Sequence, residues 1–346
     1  QFHPTGMLTP EEMAGTLVTE AVRGEGGRLF TAAGERFMTR YDPQRMELST
    51  RDRVALATYT EIKEGRGGPN GGVFLDISHL PKATILEKLP RMYRQFIEYQ
   101  MLDISKSPME VAPTAHYSMG GIVVEQQTHA TELKGLFAAG ECTAGVHGAN
   151  RLGGNSLVET QVFGRRAGEA AAKVSQQRER HRSREAVDQA VRELEAQVKE
   201  GSELARPLQR RLRDLMWERC GVVRVDSDLR AGLDELAAIR EAAADVDVRP
   251  SAEGWGDLAH LLDLNAGLLV AEASLRGALE RRETRGAHNR ADFPSLDPEL
   301  TLNLVQRLDA TGKFEIQTRP VPAIPDRLQP WLERDVASQL VGRLLE

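Results

Sequence analysis

The sequence predicts a multidomain protein of mixed class, in which α/β and α+β segments precede a helical bundle. Three observations lead to this prediction. A length of 346 residues exceeds what one hydrophobic core usually serves. The first third alternates short apolar runs with glycine-rich turns, a pattern typical of strands and short helices. From Asn155 onward, apolar residues recur at spacings of three and four, which is the period of an amphipathic helix.

Composition narrows the function classes. The chain is 40% hydrophobic and 28% charged, and no run of 18 or more apolar residues predicts a membrane span. A net charge of -6 gives no general attraction to nucleic acid, so no nucleic-acid partner is expected. Cys142 and Cys220 lie far apart, and they indicate neither a disulfide framework nor a metal site.

The first 112 residues read as one α+β unit. A helix is expected near residues 49–64 and a short strand at 73–77, after the breaker "GRGGPNGG". A further helix is expected over residues 83–99 despite Pro90. This unit, residues 1–112, is the first predicted domain.

The next predicted domain, residues 113–175, contains a hairpin within 116–141 and then a buried strand, "GLFAAGE", that ends at a glycine turn. A ligand is expected past the carboxyl end of that strand. A helical domain at 176–290 and a tail of short strands at 291–346 complete the organisation. The charge-dense stretch 176–200 is interpreted as a solvated helix face. The helices are predicted at 156–177, 184–200, 205–219, 227–243 and 257–282.

Cations and hydrogen-bond donors cluster in glycine-rich regions. Taken singly, each is expected to cap a turn or satisfy the core, so the case for a site rests on the set. A small dicarboxylate needs two anion clamps, for which arginine supplies a rigid fork and histidine or threonine a single donor. Arg151 with His116 can form one clamp, and His3 with Thr19 the other. The set comprises His3, Thr5, Thr19, Glu20, Arg23, Arg51, His116, His147 and Arg151.

The turn at residues 153–156 offers backbone N–H groups and a helix N-terminus, which stabilise an anion or an electron-rich ring such as a reduced flavin. The alternative for this stretch alone is a plain glycine entry to a helix, with Asn155 or Ser156 as its cap and nothing bound.

At this point the motifs resemble a known family. In chain order, they resemble the flavoprotein subunit of succinate dehydrogenase and fumarate reductase, with L-aspartate oxidase as a close cousin. The resemblance runs from Gln1 to about Pro294. The motifs are "QFHPTG", "TEAVRGEGG", "GERFM", "STRD", "EIKEGRG", "PTAHYSMGGI", "GLFAAGE", "VHGANRLGGNSL" and "RRETRGAHNRADFP".

The resemblance implies part of an FAD-binding α/β domain, an α+β capping domain and a C-terminal helical domain. It implies that Arg51 moves the proton at the substrate carbon, with Glu20 and Arg23 as the relay that reloads it. It assigns one substrate carboxylate to His3 and Thr19, and the other to His116 and Arg151. For the cofactor, FAD, it implies Glu141 at the ribityl chain and Asn155, Ser156 and Leu157 near the isoalloxazine edge.

Two departures from the family pattern affect these expectations. The family's glycine-rich ADP-binding turn and the histidine that attaches FAD in many members are missing, so the chain reads as the back part of a longer protein that does not hold FAD tightly alone. The interval "MLTPEEMAGTLV" is longer than in some members, which leaves the choice of substrate open.

Three functions are carried forward. The first is interconversion of succinate and fumarate in a quinone-linked complex with membrane-anchor subunits and an iron–sulfur subunit, peripheral on the inner, cytoplasmic face of the cell membrane. The second is oxidation of L-aspartate to iminoaspartate by a soluble enzyme without an iron–sulfur partner. The third is a non-catalytic piece that only docks to a partner.

Overall fold

The computed structural model describes residues 1–177, 183–251 and 254–332. The chain divides into two compact units, Gln1–Leu296 and Asp297–Glu346. The mixture of sheet and helix confirms the predicted fold class. The four domain boundaries proposed from the sequence remain predictions.

A four-stranded antiparallel sheet organises the first part of the chain. Its strands are β1 (Phe2–Met7), β2 (Arg28–Phe30), β3 (Val73–Asp76) and β4 (Met109–Ala115), in the order β1-β4-β3-β2. Because His3 of β1 pairs with Thr114 of β4, the start of β1 lies beside the residues that follow β4. This register brings His3 and His116 together.

Short helices pack on the sheet around a core that includes Leu29, Leu75 and Phe96. The expected helix over 83–99 is wrong as a continuous element, because Pro90 lacks the N–H that would continue it and instead begins a new helix. The elements are α1 (Ala21–Gly24), α2 (Met38–Tyr41), α3 (Arg51–Lys63), α4 (Lys82–Lys88) and α5 (Pro90–Gln100), with 3-10 turns at Glu11–Met13 and Met46–Leu48.

Residues 116–154 correct a second expectation. The buried strand predicted at 135–141 is absent among these described residues, which form only isolated bridges, Ile122 to Thr143 and Ala130 to Phe137. Leu136, expected to be buried, is 49% exposed. An apolar run becomes a strand only where a neighbouring strand pairs with it, and no described strand lies alongside this one.

The second half is helical, as predicted. A separate core, which includes Leu208, Leu236 and Leu264, lies between three of the helices. The predicted solvated face is confirmed for the described residues of α7, none of which is buried; residues 178–182 lie outside the described part. The helices are α6 (Asn155–Gln177), α7 (Arg184–Glu195), α8 (Ala205–Cys220), α9 (Asp226–Ala243) and α10 (Gly256–Glu280).

Helix α10 is long and apolar enough to cross a membrane by length and composition alone. Its Leu261, Leu264, Leu268 and Leu275 are buried in the core that α10 shares with α8 and α9. This packing accounts for the buried face of α10, while Leu262, Leu269 and Val270 are exposed.

The unit that begins at Asp297 contains a 3-10 turn (Pro298–Leu300) and an antiparallel hairpin of β5 (Leu302–Leu308) and β6 (Phe314–Pro320). A second 3-10 turn (Asp326–Leu328) and α11 (Gln329–Leu332) follow. The hairpin agrees with the short strands expected in this region, and residues 333–346 lie outside the described part.

Candidate active site

Arg51, Glu20 and Arg23 form a connected chain of charges. Arg51 is the first residue of α3, and its Nε donates to Oε2 of Glu20 at 2.7 Å, while its Nη2 donates to the same oxygen. Oε1 of Glu20 lies 3.5 Å from Nη2 of Arg23, one helical turn further on. Arg23 is almost wholly buried and donates through Nη1 to the carbonyl oxygen of Glu47. The structure thus joins the three residues that the sequence predicted as a proton relay.

The environment sets the protonation of Glu20 and shifts the pKa of Arg23. Partial burial raises the pKa of Glu20, but the hydrogen bonds and charge of Arg51 and the charge of Arg23 outweigh it and leave that pKa below its ordinary value. Burial lowers the pKa of Arg23, and the charge of Arg51 lowers it further. Glu20 is therefore a carboxylate at neutral pH. Its side chain is 46% exposed, so it connects the buried Arg23 and the partly buried Arg51 to solvent.

A second cluster joins His3, His116 and Arg151. The rings of His3 and His116 meet edge to face with centroids 5.3 Å apart. Nη2 of Arg151 donates to Nε2 of His116 at 2.8 Å. Nδ1 of His3 lies 3.1 Å from the carbonyl oxygen of Thr5 and 3.3 Å from its backbone nitrogen, so it either donates to the first or accepts from the second, and Nε2 of the neutral ring carries the proton when Nδ1 accepts. The sheet register and the turn before α6 thus bring together three of the four predicted clamp residues, His3, His116 and Arg151.

Both histidines are neutral at pH 7. Burial, followed by the charges of Arg23, His116 and Arg51, lowers the pKa of His3 to about 4. Burial and the charges of Arg151 and Arg51 also lower the pKa of His116. Because a guanidinium only donates, Nε2 of His116 must be the acceptor and its proton must sit on Nδ1. His116 therefore presents one N–H donor beside the Arg151 guanidinium.

The glycine turn lies against this cluster. Gly153 faces Arg51, since a Cβ placed on it would lie in contact with Nη2 of Arg51, at 3.4 Å. Nη1 of Arg151 lies 3.4 Å from the hydroxyl of Ser156 in the first turn of α6. Asn155 and Leu157 are exposed on either side of Ser156.

Nη1 of Arg51 and Nε of Arg151 are buried with no hydrogen-bond partner. Unpaired, buried guanidinium donors favour an anion as ligand.

Thr19 and Glu141 are not joined to the clusters by a direct contact among the described residues. The hydroxyl of Thr19 accepts from the backbone N–H of Ala21 at 3.3 Å, a local contact at the start of α1. The carboxylate of Glu141 accepts from the backbone N–H of Ser118 at 2.9 Å. Glu141 acts on the site at a distance, since its charge raises the pKa of His116 against the larger lowering effects of burial and the arginines.

Sequence reasoning named His147 but missed Tyr117 and Glu159, which form a buried polar group with it behind Arg151. Tyr117 follows His116, its hydroxyl donates to Oε2 of Glu159, and Nε2 of His147 lies 2.8 Å from that same oxygen. One signal in the sequence could have indicated this group: Glu159 is a glutamate on the buried face of α6, the helix that follows the Arg151 motif. Its meeting with Tyr117 depends on tertiary packing, which the sequence pattern does not specify.

The downstream motif "RRETRGAHNRADFP" packs on the site from behind. The N–H of Ala287 donates to the carbonyl oxygen of Ala149 at 3.0 Å, two residues before Arg151. Gly286 has φ +59, and a Cβ there would overlap with that same oxygen. Only glycine satisfies both the left-handed backbone and the close approach. The motif therefore fixes the segment that carries Arg151.

Replacement of Gly286 by alanine is expected to destabilise the full-length protein by about 2 kcal/mol or more, through backbone strain and the clash with Ala149. Thermal unfolding measures this effect. Gly148→Ala is the matched control, because Gly148 has φ +56 but nothing within 4 Å of an added Cβ. An equal loss of stability in both variants would show that the contact between Gly286 and Ala149 does not contribute to the effect.

His288 predicts a pH effect on stability. Burial, then the charge of Arg224, lowers its pKa to about 4, and Arg290 and Arg281 add to the lowering against the hydrogen bond to the Arg281 carbonyl. The folded pKa lies below the ordinary value of about 6.5. The neutral form is thus favoured by folding, and this contribution is complete above about pH 6.5 and is lost as the pH falls towards 4.

We expect His288→Asn to flatten this dependence, because asparagine keeps one donor and one acceptor but does not titrate. Between about pH 7 and about pH 4.5 the melting temperature of the parent protein is expected to fall by roughly 5 °C more than that of the variant. Parallel curves for the two proteins would show that His288 does not carry the effect.

Comparison with known proteins agrees with this geometry. A family model described as FAD binding domain matches residues 1–157, and one described as fumarate reductase flavoprotein C-term matches residues 209–330. The first match confirms the prediction of FAD as cofactor. A fumarate reductase (CoM/CoB) subunit of Methanothermobacter marburgensis is 48% identical over 86% of this chain and 54% of its own length. The succinate dehydrogenase flavoprotein subunit of Rickettsia conorii is 35% identical over 93% of this chain and 56% of its own.

Solved structures extend the likeness to the fold. An Escherichia coli quinol fumarate reductase chain superposes with a TM-score of 0.86 at 33% identity, covering 95% of this chain and 60% of its own. A Mycobacterium smegmatis Sdh1 chain superposes with a TM-score of 0.83 at 39% identity, covering 98% and 58%. The chain spans about half the length of the curated relatives it matches. With both family models in chain order and relatives at 48% and 35% identity, this chain is similar over most of its length to the succinate dehydrogenase and fumarate reductase flavoproteins.

Proposed function

We propose that the protein containing this chain is an FAD-dependent oxidoreductase that interconverts succinate and fumarate. One observation supports the proposal above the others: two arginines, Arg51 and Arg151, carry buried unpaired guanidinium donors beside the same glycine turn. Two cations with free donors in one place suit a dianion of small size.

The two clamps divide the substrate between them. Arg151 presents its guanidinium and His116 its Nδ1–H to one carboxylate. His3, in the tautomer whose Nδ1 accepts from the Thr5 N–H, offers its Nε2–H to the other, and Thr19 offers its hydroxyl proton. Since both imidazoles are neutral, the positive charge of the site comes from the arginines. This arrangement orients the central carbons of the substrate toward Arg51 without neutralising the carboxylates by protonation.

Arg51 holds the proton at the reacting carbon. Arginine has an ordinary pKa above about 12, so it gives up a proton only to a carbon that becomes strongly basic during the reaction. Glu20, whose carboxylate accepts from Nε and Nη2 of Arg51, returns a proton to it. Glu20 receives that proton from solvent, and Arg51, with a smaller contribution from Arg23, lowers its pKa and so favours its ionised form between turnovers.

The residues present fit FAD. Except for Tyr117 and Ala167, no apolar side chain in the described part of residues 114–204 is buried in the core, while many of them are exposed. Exposed apolar groups next to the N-terminus of α6 suit a large flat ring with an electron-rich edge. When bound, FAD supplies the hydride transfer. Asn155, Ser156 and Leu157 would hold its ring edge, and Glu141 its ribityl chain. The exposed apolar residues here include Ile122, Leu136, Val146, Leu152, Leu157, Val158 and Val162.

The partners follow from the family. We propose membrane-anchor subunits and an iron–sulfur subunit that hold the flavoprotein on the inner, cytoplasmic face of the cell membrane. The proposed electron carrier is a quinone, because the Escherichia coli structure is a quinol fumarate reductase and the Mycobacterium smegmatis structure is a complex with UQ1. The relative that is 48% identical is named a CoM/CoB fumarate reductase, so that pair is the second candidate carrier.

Product analysis on the full-length protein tests the proposal against its alternatives. With a reduced dye as electron donor, fumarate is expected to yield succinate. Formation of iminoaspartate from aspartate without turnover of fumarate would support L-aspartate oxidase instead. A protein that binds FAD but turns over none of these substrates would support the docking function. Supplying quinol or CoM/CoB in place of the dye identifies the carrier.

A further inference from the structure

Behind Arg151 lies a buried polar group made of Tyr117, His147 and Glu159, which we call the Tyr117 network. Cζ of Arg151 lies 4.4 Å from the centroid of the Tyr117 ring. The Tyr117 hydroxyl donates to Oε2 of Glu159 and lies 3.2 Å from Nε2 of His147. The side chains of His147 and Glu159 are 4% and 2% exposed. The network is therefore closed to solvent.

Hydrogen bonds alone hold Arg151 weakly. Nη2 has a short bond to His116, but Nη1 has only long contacts, 3.4 Å to Ser156 and 3.5 Å to the carbonyl oxygen of Leu152, and Nε has none. Cζ of Arg151 lies over the Tyr117 ring, which therefore supports the guanidinium where these hydrogen bonds do not. A desolvated guanidinium on an aromatic face is held by cation–π attraction and by stacking.

The ring is itself fixed in place. Glu159 accepts from both Tyr117 and His147 at one oxygen, so the phenol is tied to α6 through a buried carboxylate. Burial and this hydrogen bond raise the pKa of Tyr117, so the hydroxyl keeps its proton and remains the donor. Burial, then the charge of Arg51, lowers the pKa of Arg151, and the negative charge of Glu159 raises it in part.

We propose that Tyr117 is a positioning residue for Arg151, held by Glu159 and His147, and that it sets the affinity for one substrate carboxylate. The inference rests on the proposed function, because it requires Arg151 to bind a carboxylate. Cζ of Arg151 lies over the Tyr117 ring, and Nε of Arg151 has no hydrogen-bond partner, so a donor remains for that ligand. Its loss should therefore act on KM, which depends on the orientation of Arg151, more than on kcat, which depends on Arg51.

Two substitutions separate the contribution of the Tyr117 ring from that of its hydrogen bond to Glu159. Tyr117→Leu removes the ring and is expected to raise KM for fumarate about 30-fold in the full-length holoenzyme, with kcat within about threefold. Tyr117→Phe keeps the ring but loses the bond to Glu159, and about a threefold rise is expected. Tyr41→Phe is the matched control, because the Tyr41 hydroxyl donates to the buried carboxylate of Glu61 at 2.5 Å within the first core, away from Arg151. Its KM should equal that of the parent.

A double-mutant cycle with Arg151→Lys distinguishes positioning from general destabilisation. If Tyr117 acts through Arg151, Tyr117→Leu costs much less in the lysine background, and the two effects on KM are not additive. Additive effects, or an unchanged KM in Tyr117→Leu, would overturn the inference. Should that variant not fold, equal KM values in Tyr117→Phe and Tyr41→Phe would overturn it. Failure of the proposed function is recognised separately, because the parent protein itself would not turn over fumarate.

Discussion

Replacement of Arg51 by lysine is expected to lower kcat for fumarate reduction by about 10³-fold while FAD remains bound. Lysine keeps the positive charge, but its single nitrogen cannot both donate to Glu20 and face the substrate carbon. In the structure the Nε and Nη2 atoms of Arg51 are engaged by Glu20, and Nη1 is left for the ligand. Stopped turnover with an unchanged FAD absorbance spectrum is the expected observation.

Arg53→Lys is the matched control for that experiment. Arg53 lies on the same helix, is 57% exposed in its side chain, and pairs with Asp42 at 3.5 Å. Its kcat should be that of the parent protein. Near-normal turnover in Arg51→Lys would rule out Arg51 as the proton donor, and a similar loss in Arg53→Lys would point to disruption of α3 instead.

Replacement of Arg151 by lysine is expected to raise KM for fumarate by about 10- to 100-fold, with a smaller effect on kcat. The lysine ammonium cannot form a planar fork on a carboxylate, donate to His116 and stack on Tyr117 at once. Steady-state kinetics measures the two constants. Arg165→Lys is the control, since Arg165 lies on α6, the helix that follows the Arg151 turn, is 80% exposed and pairs with Glu169 four residues on.

An effect of Arg151→Lys on kcat alone would contradict the binding role. It would place Arg151 in the chemical step, where this account places Arg51. Loss of folding in the variant would be seen by thermal unfolding, and the Tyr117 variants then report on the same clamp without changing its charge.

Much of the fold was predictable because it follows local periodicity. Helices α8, α9 and α10 begin and end within two residues of their predicted limits, since their apolar faces recur at the helical period. Pro90 was misjudged because apolar spacing continues across a helix break that backbone chemistry imposes. The strand at 135–141 was wrong because burial depends on partners that an apolar run does not reveal.

The candidate site likewise contains contacts that follow from sequence spacing and contacts that depend on tertiary structure. Glu20 and Arg23 are one helical turn apart, so their pairing follows from spacing, and the resemblance to a family supplied Arg51 as their partner. The contact of His3 with His116 follows from the register of β1 on β4, which sequence pattern does not fix. The Tyr117 network joins three segments distant in sequence, and only the folded chain brings them together.

Steady-state kinetics of fumarate reduction by the full-length holoenzyme, compared for the parent, Arg51→Lys and Arg151→Lys, tests the central claim most directly. The claim is that one arginine moves the proton and the other binds the carboxylate. The account predicts a loss confined to kcat in the first variant and a loss mainly in KM in the second. Equal changes in both constants for both variants, or no turnover of fumarate or succinate by the FAD-loaded parent, would contradict it.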